Sequence, residues 1–301
     1  MATTTNGRPH ILRNPHPRLV GVLGPEYTQS HLAFISRFGN KLDEYSLSLD
    51  ESFEQLLGRV RGNVTPYLQS CLLPFYNSSQ EFIIELCHML TEVPSYVVDA
   101  FPSDVRHCLM VRQGVNNSSE IEALYSQRNA FKQCDRWLTE NGLLVEQRLV
   151  DSTAVAARIV KTTIDHKYAV IGSKELAVYN GLKILSENIQ KPNNITAFFV
   201  VGNRGRKAEG NPFVFYAVHM KAGEDENRVN DLIESFGFSK TPLWTYPHRT
   251  NGFWYAFQIT VDKEEKLKSF HAKLDIDYLK HVQFGRMSKP ITQCVKELGS
   301  P

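Results

Sequence analysis

Five places in the sequence set small polar residues where a helix could begin: Thr28 and Ser30, Asn77 and Ser78, Ser126, Ser152 and Thr153, and Ser173. Hydroxyl and amide side chains cap helices because they accept from backbone N–H groups left unpaired in the first turn. The same helix ends carry roughly half a positive charge, so several of them facing one cleft would bind carboxylates or phosphates. Such binding needs neither metal nor covalent cofactor, and none is expected. No His-Glu-x-x-His pair, Walker loop, Gly-x-Ser-x-Gly elbow or Gly-x-Gly-x-x-Gly fingerprint follows a strand. His88 and His107 lie among apolar residues and read as packing residues.

The elements that must position these caps follow a repeated order: a short apolar run, a polar turn, then apolar residues at helical spacing. The first run, 19–23, turns at Gly24-Pro25 and leads to a helix with Leu32, Ile35 and Phe38 on one face. The second, 71–75, is read as capped at Asn77 or Ser78 and continuing through Phe82, Leu86 and Met89. A third helix is capped at Ser126 and carries Phe131, Cys134 and Leu138. The fourth and fifth follow the apolar residues at 149–150 and 169–171. Strands alternating with helices imply an α/β fold around a largely parallel sheet. A polar stretch at 203–211 reads as a linker, after which the order becomes strand, helix, strand, strand, helix, strand. Asn251-Gly252 between two apolar runs marks a hairpin, and this βαββαβ order predicts a ferredoxin-like module. The expected domains are therefore a flexible arm (1–17), a first domain (18–202), the linker, the module (212–290) and a tail (291–301).

Bulk properties narrow the function. Lys+Arg 34 against Asp+Glu 32 leaves a net charge of +2, too little field to hold a nucleic acid. Cys71, Cys87, Cys108, Cys134 and Cys294 are scattered, with no Cys-x-x-Cys pair, which predicts neither a disulfide framework nor a zinc site. The polar N-terminus lacks the apolar centre of a signal peptide, and no run approaches a membrane span. A cytoplasmic protein is expected.

At the capped turns the sequence resembles the prephenate dehydratase family. Gly24-Pro25-Glu26-Tyr27-Thr28-Gln29-Ser30 is similar to Gly-Pro-x-Gly-Thr-x-Ser. The segment from Ser126-Gln127-Arg128-Asn129-Ala130-Phe131 to Gln133-Cys134 resembles Ser-His-Pro-Gln-Ala-Leu-x-Gln-Cys. Ser152-Thr153-Ala154 matches Ser-Thr-Ala, and Asn194-Ile195-Thr196-Ala197-Phe198 is similar to Asn-x-Thr-Arg-Phe. Residues 212 to about 290 look like a divergent ACT domain. The resemblance implies a two-lobed, periplasmic-binding-protein-like catalytic domain followed by an ACT-like domain. It implies prephenate as ligand, bound by Thr28, Ser30, Asn77, Ser78, Ser126, Gln127, Arg128, Asn129, Ser152 and Thr153. Thr196 is implied as the catalytic residue that assists departure of the ring hydroxyl. Pairing of ACT-like domains implies a homodimer or homotetramer.

Several positions depart from the family pattern: Pro74-Phe75-Tyr76-Asn77-Ser78 replaces Pro-Ile-Glu-Asn-Ser and loses its acid, Ser-His-Pro has become Ser126-Gln127-Arg128, and Ala197 stands where an arginine is expected. Loss of that arginine removes a donor fork that would pair bidentately with a substrate carboxylate, and Arg128 could replace the charge from another side of the cleft. On this reading the expected activity is non-aromatizing decarboxylation of prephenate to a dihydro-4-hydroxyphenylpyruvate, as in antibiotic and other secondary metabolism. The alternatives are dehydration to phenylpyruvate for phenylalanine biosynthesis, and a non-catalytic regulator that keeps the cleft. Ala222-Gly223-Glu224-Asp225 and Trp244-Thr245-Tyr246-Pro247 replace the loop and turn with which family members sense phenylalanine, so a purely structural module is expected there.

Overall fold

The computed structural model describes residues 17–79, 81–92, 95–205, 212–247, 251–277, 281–287, 290–291 and 293. Most of the predicted arm, linker and tail, together with Cys294, lie outside the described residues. The first lobe begins with β1 (Arg18–Leu23), α1 (Gln29–Phe38), β2 (Tyr45–Asp50), α2 (Phe53–Val60), β3 (Ser70–Asn77), β4 (Glu81–Phe82), α3 (Ile84–Glu92) and β5 (Tyr96–Asp104). The chain then crosses to a second lobe with β6 (Cys108–Val111), β7 (Ala123–Ser126), α4 (Arg128–Glu140), β8 (Glu146–Leu149), α5 (Thr153–Thr162), β9 (Tyr168–Gly172), α6 (Lys174–Asn180) and β10 (Lys183–Ser186). It returns through β11 (Ile195–Gly202), which enters the first sheet between β3 and β5.

Neither sheet is largely parallel. In the order β2-β1-β3-β11-β5, β1 runs parallel to both neighbours, while β11 is antiparallel to β3 and β5. In β10-β6-β9-β7-β8, β7 is parallel to β8 and β9, and β6 is antiparallel to β9 and β10. The two crossings between lobes reverse the chain direction, and periodicity along a single segment carries no record of that.

The crossings lie side by side and are joined. The Val105 amide donates to the Asn194 carbonyl (2.8 Å) and the Ile189 amide to the His107 carbonyl (3.0 Å). The His107 amide donates to Gln190 Oε1 (2.7 Å). Within the first lobe, Arg59 on α2 reaches Asp50 at the end of β2 (2.5 Å), an ion pair almost wholly removed from water. Arg59 also donates to the Pro66 carbonyl and to Ser48, which satisfies more of its fork.

The C-terminal module comprises β12 (Phe213–Met220), α7 (Asn227–Ser235), β13 (Ser239–Pro247), β14 (Phe253–Thr260), α8 (Glu264–Asp277) and β15 (His281–Met287). Its antiparallel sheet has the order β13-β14-β12-β15, as the βαββαβ reading requires. One face carries α7 and α8 over Val214, Tyr216, Val218 and Phe257. The other face shares a core with the first lobe, where the rings of Phe75, Phe199, Phe215 and Phe284 follow one another at 3.8, 5.8 and 4.4 Å. At Gly285 a Cβ would stand 2.0 Å from the Val97 carbonyl oxygen, so only glycine lets β15 approach β5 this closely. Tyr246 is buried in this shared core and donates to the Cys87 carbonyl (3.4 Å). Cys71, Cys87, Cys108 and Cys134 are buried free thiols. No helix among the described residues is long and apolar enough to cross a membrane.

Candidate active site

A cavity of about 370 Å³ lies between the lobes. The N-termini of several helices reach it, among them those of α1 through Thr28 and Gln29, α2 through Phe53, α4 through Gln127 and Asn129, α5 through Ser152 and Thr153, and α6 through Ser173. They are not equivalent. Ser152 accepts from the Val155 amide (3.1 Å) and Ser173 from the Leu176 amide (3.3 Å), so α5 and α6 are capped by their own side chains. Thr28 and Gln127, the N-cap residues of α1 and α4, make no such bond. Thr28 instead donates to the Leu23 carbonyl (3.1 Å). One helix from each lobe therefore keeps its first-turn N–H groups free of a side-chain cap at the cleft, where an anion could complete them. Among the cleft-lining side chains, Arg106 is exposed and bonded to Asp104 (3.1 Å), while Glu51 and Asp151 are exposed acids. The cleft's charged side chains thus carry no net positive charge, and an anion bound there would rely on backbone N–H groups.

Deep in the cleft, four side chains form a hydrogen-bonded chain that joins both lobes. Asn77 Nδ2 donates to Thr196 Oγ1 (3.0 Å) and to the Ile195 carbonyl (3.2 Å). Asn77 Oδ1 accepts from the Ser79 amide (2.9 Å) and, at 3.5 Å, from Gln133 Nε2. Gln133 Oε1 meets His107 Nε2 at 2.7 Å. With Oε1 accepting, the network places the ring proton on Nε2 and leaves Nδ1 a lone pair, which is buried without a partner among the described residues. Burial lowers the His107 pKa, outweighing the Gln133 contact, so the ring is neutral near pH 7. Because Thr196 Oγ1 accepts from Asn77, its own hydroxyl proton is free to turn toward the cavity that it lines.

Of the residues expected to hold ligand, Thr28, Ser30, Asn77, Gln127, Asn129, Ser152, Thr153 and Thr196 line this one cavity. Ser78, Ser126 and Arg128 are absent from its wall. Ser78 Oγ links the Asn193 carbonyl to the Ile195 amide (3.1 and 3.0 Å), and no helix starts there, because β3 runs through Asn77 and turns into β4. Buried Ser126 donates to the Ile171 carbonyl (2.8 Å), and Gln127, not Ser126, precedes α4. Arg128 is the exposed first residue of α4. On α1, Ile35 is exposed, and the buried face is made by Ser30, His31, Ala33 and Phe34. His107, read as a packing residue, is part of the cleft, as is Gln133. Gln133 was findable, since Asn129 lies four residues earlier on the same face of α4.

The departures at Tyr76 and Ala197 are one structural change. Ala197 on β11 pairs directly with Tyr76 on β3, as Thr196 pairs with Asn77. Side chains alternate along a strand, so Thr196 and Asn77 face the cleft, while Ala197 and Tyr76 join the apolar core shared with the C-terminal module. An acid and an arginine at these positions would face each other across the strands. Ala197 therefore does not mark a vacated carboxylate contact in the cleft.

The family model for prephenate dehydratase matches residues 20–206. A bifunctional chorismate mutase/prephenate dehydratase of Neisseria gonorrhoeae is 27% identical over 250 residues, covering 82% of this chain and 67% of that protein. Among solved structures, the prephenate dehydratase of Arthrobacter aurescens in complex with L-Phe superposes with a TM-score of 0.75 at 18% identity, covering 90% of each chain. GqqA, described as a novel type of quorum quenching acylase, superposes at 0.70 with 18% identity, covering 92% of this chain and all of that one (100%). These structural likenesses establish the shared fold.

Proposed function

The chain belongs to the prephenate dehydratase family, and from that premise we propose that it is a lyase acting on prephenate and that it expels the ring hydroxyl. Prephenate carries two carboxylates, and the cleft offers two helix ends without side-chain caps, α1 and α4, on opposite walls. Carbon dioxide leaves from the ring carboxylate, the bonding electrons enter the ring, and the hydroxyl departs as the ring becomes aromatic. One proton is taken up, and the products are phenylpyruvate, carbon dioxide and water. The observation that carries this reading is the Asn77–Thr196 pair. Asn77 holds Thr196 Oγ1 and leaves its hydroxyl proton to stabilise the departing oxygen.

Incubation with prephenate tests the proposal: phenylpyruvate absorbance supports it, and its absence during turnover overturns it. Thr196→Ala is expected to lower kcat about 100-fold, the usual loss for one such donor, with little change in KM. Unchanged kcat would remove Thr196 from the mechanism.

A second reading, non-aromatizing decarboxylation, keeps the ring hydroxyl and returns a proton to a ring carbon. It is favoured by the replacement of the family's acid and arginine by Tyr76 and Ala197, since that pair lies behind Asn77 and Thr196 and bears on how they are held. A dihydro-4-hydroxyphenylpyruvate in the same assay would establish it in place of dehydration. Binding of prephenate without turnover would favour a regulator over both.

A further inference from the structure

Tyr27 has a left-handed backbone (φ 63°), a conformation that L residues with a side chain adopt rarely and glycine adopts freely. Glycine stands at this place in the family motif that the segment resembles. The strained conformation is held locally, because the Tyr27 amide donates to Nδ1 of buried His31 (2.7 Å). What it achieves is placement of a ring. Tyr27 belongs to the turn between β1 and α1 in the first lobe, yet its ring lies 4.5 Å from that of Tyr179 on α6 in the second lobe. It also packs against the core cluster of Cys108, Met110 and Leu176 in that lobe. The same residue lines the cleft, directly before Thr28 at the end of α1 that lacks a side-chain cap. A non-glycine residue kept in a disfavoured conformation beside a ligand cleft marks a functional constraint more often than chance, and here the ring joins the two lobes.

We infer that Tyr27 is a specificity-determining residue of this cleft: with Tyr179 it forms an aromatic clasp that holds a small cyclic dicarboxylate in and excludes ligands with a larger ring. The inference rests on the prephenate reading for the identity of the ligand. Aromatic pairs of this geometry are favourable beyond the area they bury, and a contact made across the cleft acts mainly on the rate of escape.

The test compares wild type with Tyr27→Gly, Tyr27→Phe, Tyr179→Ala and the Tyr27→Gly/Tyr179→Ala double variant. Stopped-flow release of prephenate is expected to quicken about tenfold in Tyr27→Gly and in Tyr179→Ala, and no further in the double variant, since both remove one clasp. Tyr27→Phe, which keeps the ring, should release at the wild-type rate. Biphenyl-4-ylpyruvate should compete at least tenfold better against Tyr27→Gly than against wild type. Equal release rates and equal competition overturn the inference. Failure of wild type to bind prephenate would refute the functional proposal instead, and the clasp is then decided without ligand. Amide hydrogen exchange at the first turns of α1 and α4 should rise in Tyr27→Gly but not in Tyr27→Phe, and equal exchange in both overturns the clasp.

Discussion

At the residue scale, the pair formed by Tyr76 and Ala197 gives a sharp expectation. Ala197→Arg alone would place a cation in an apolar core opposite a tyrosine, and an unpaired buried charge costs on the order of 3–5 kcal/mol. The variant should melt well below wild type and gain no activity. Adding Tyr76→Glu should recover much of the loss, because the two side chains stand directly opposite. Thermal melts of the two single variants and the double variant check this, and additive losses would show that the positions do not interact. Histidine burial sets a second expectation. Burial lowers the pKa of His31, His107, His271 and His281 below the ordinary value of 6.5. Below that pH the unfolded chain binds protons that the folded chain resists, so the stability these groups contribute is complete above about 6.5 and declines as the pH falls. His107 alone adds at most about 1.4 kcal/mol per pH unit. Urea midpoints from pH 7.5 to 5 should fall, and His107→Gln should flatten the slope.

At the element scale, the contrast between capped and uncapped helices predicts opposite effects for similar substitutions. Ser152→Ala removes a bond to the Val155 amide and should lower stability by about 1 kcal/mol. Thr28→Ala removes no cap bond, so it should weaken prephenate binding more than it lowers the melting temperature. Calorimetric affinity set beside the melts separates the two. Arg59→Ala strands Asp50 and should cost about 3–5 kcal/mol, far more than any exposed pair in the molecule. The caps at Ser152 and Ser173 were legible in the sequence because a cap is local: a hydroxyl directly precedes its own helix. Asn77 does line the cleft, but from the end of a strand rather than as a helix cap. Its place is set by β11, whose Thr196 lies 119 residues further along the chain. The place of His107 in the cleft wall was hidden for the same reason, since its surroundings are made by a crossing and a helix distant in sequence. The order of elements in the βαββαβ module was legible, because each segment shows its own period and Asn251-Gly252 marks the one short hairpin, whereas the pairing of β12 with β14 and β15 is long-range.

At the scale of the whole molecule, the C-terminal sheet is enclosed on both faces, by α7 and α8 on one and by the first lobe on the other. The first lobe and this module should therefore melt in a single transition when followed by scanning calorimetry, and separate transitions would refute a shared core. With both sheet faces covered, the homodimer or homotetramer expected through this module would use a sheet edge or the outer faces of α7 and α8. Pro242 and the register shift beside it interrupt the edge strand β13, leaving little continuous backbone to pair. The joined crossings between the lobes have a mechanical consequence. Two straps lying side by side and fastened to each other resist twist, as a leaf hinge does, and leave bending as the one soft coordinate. Lobes joined in this way would close on a ligand along a single angle.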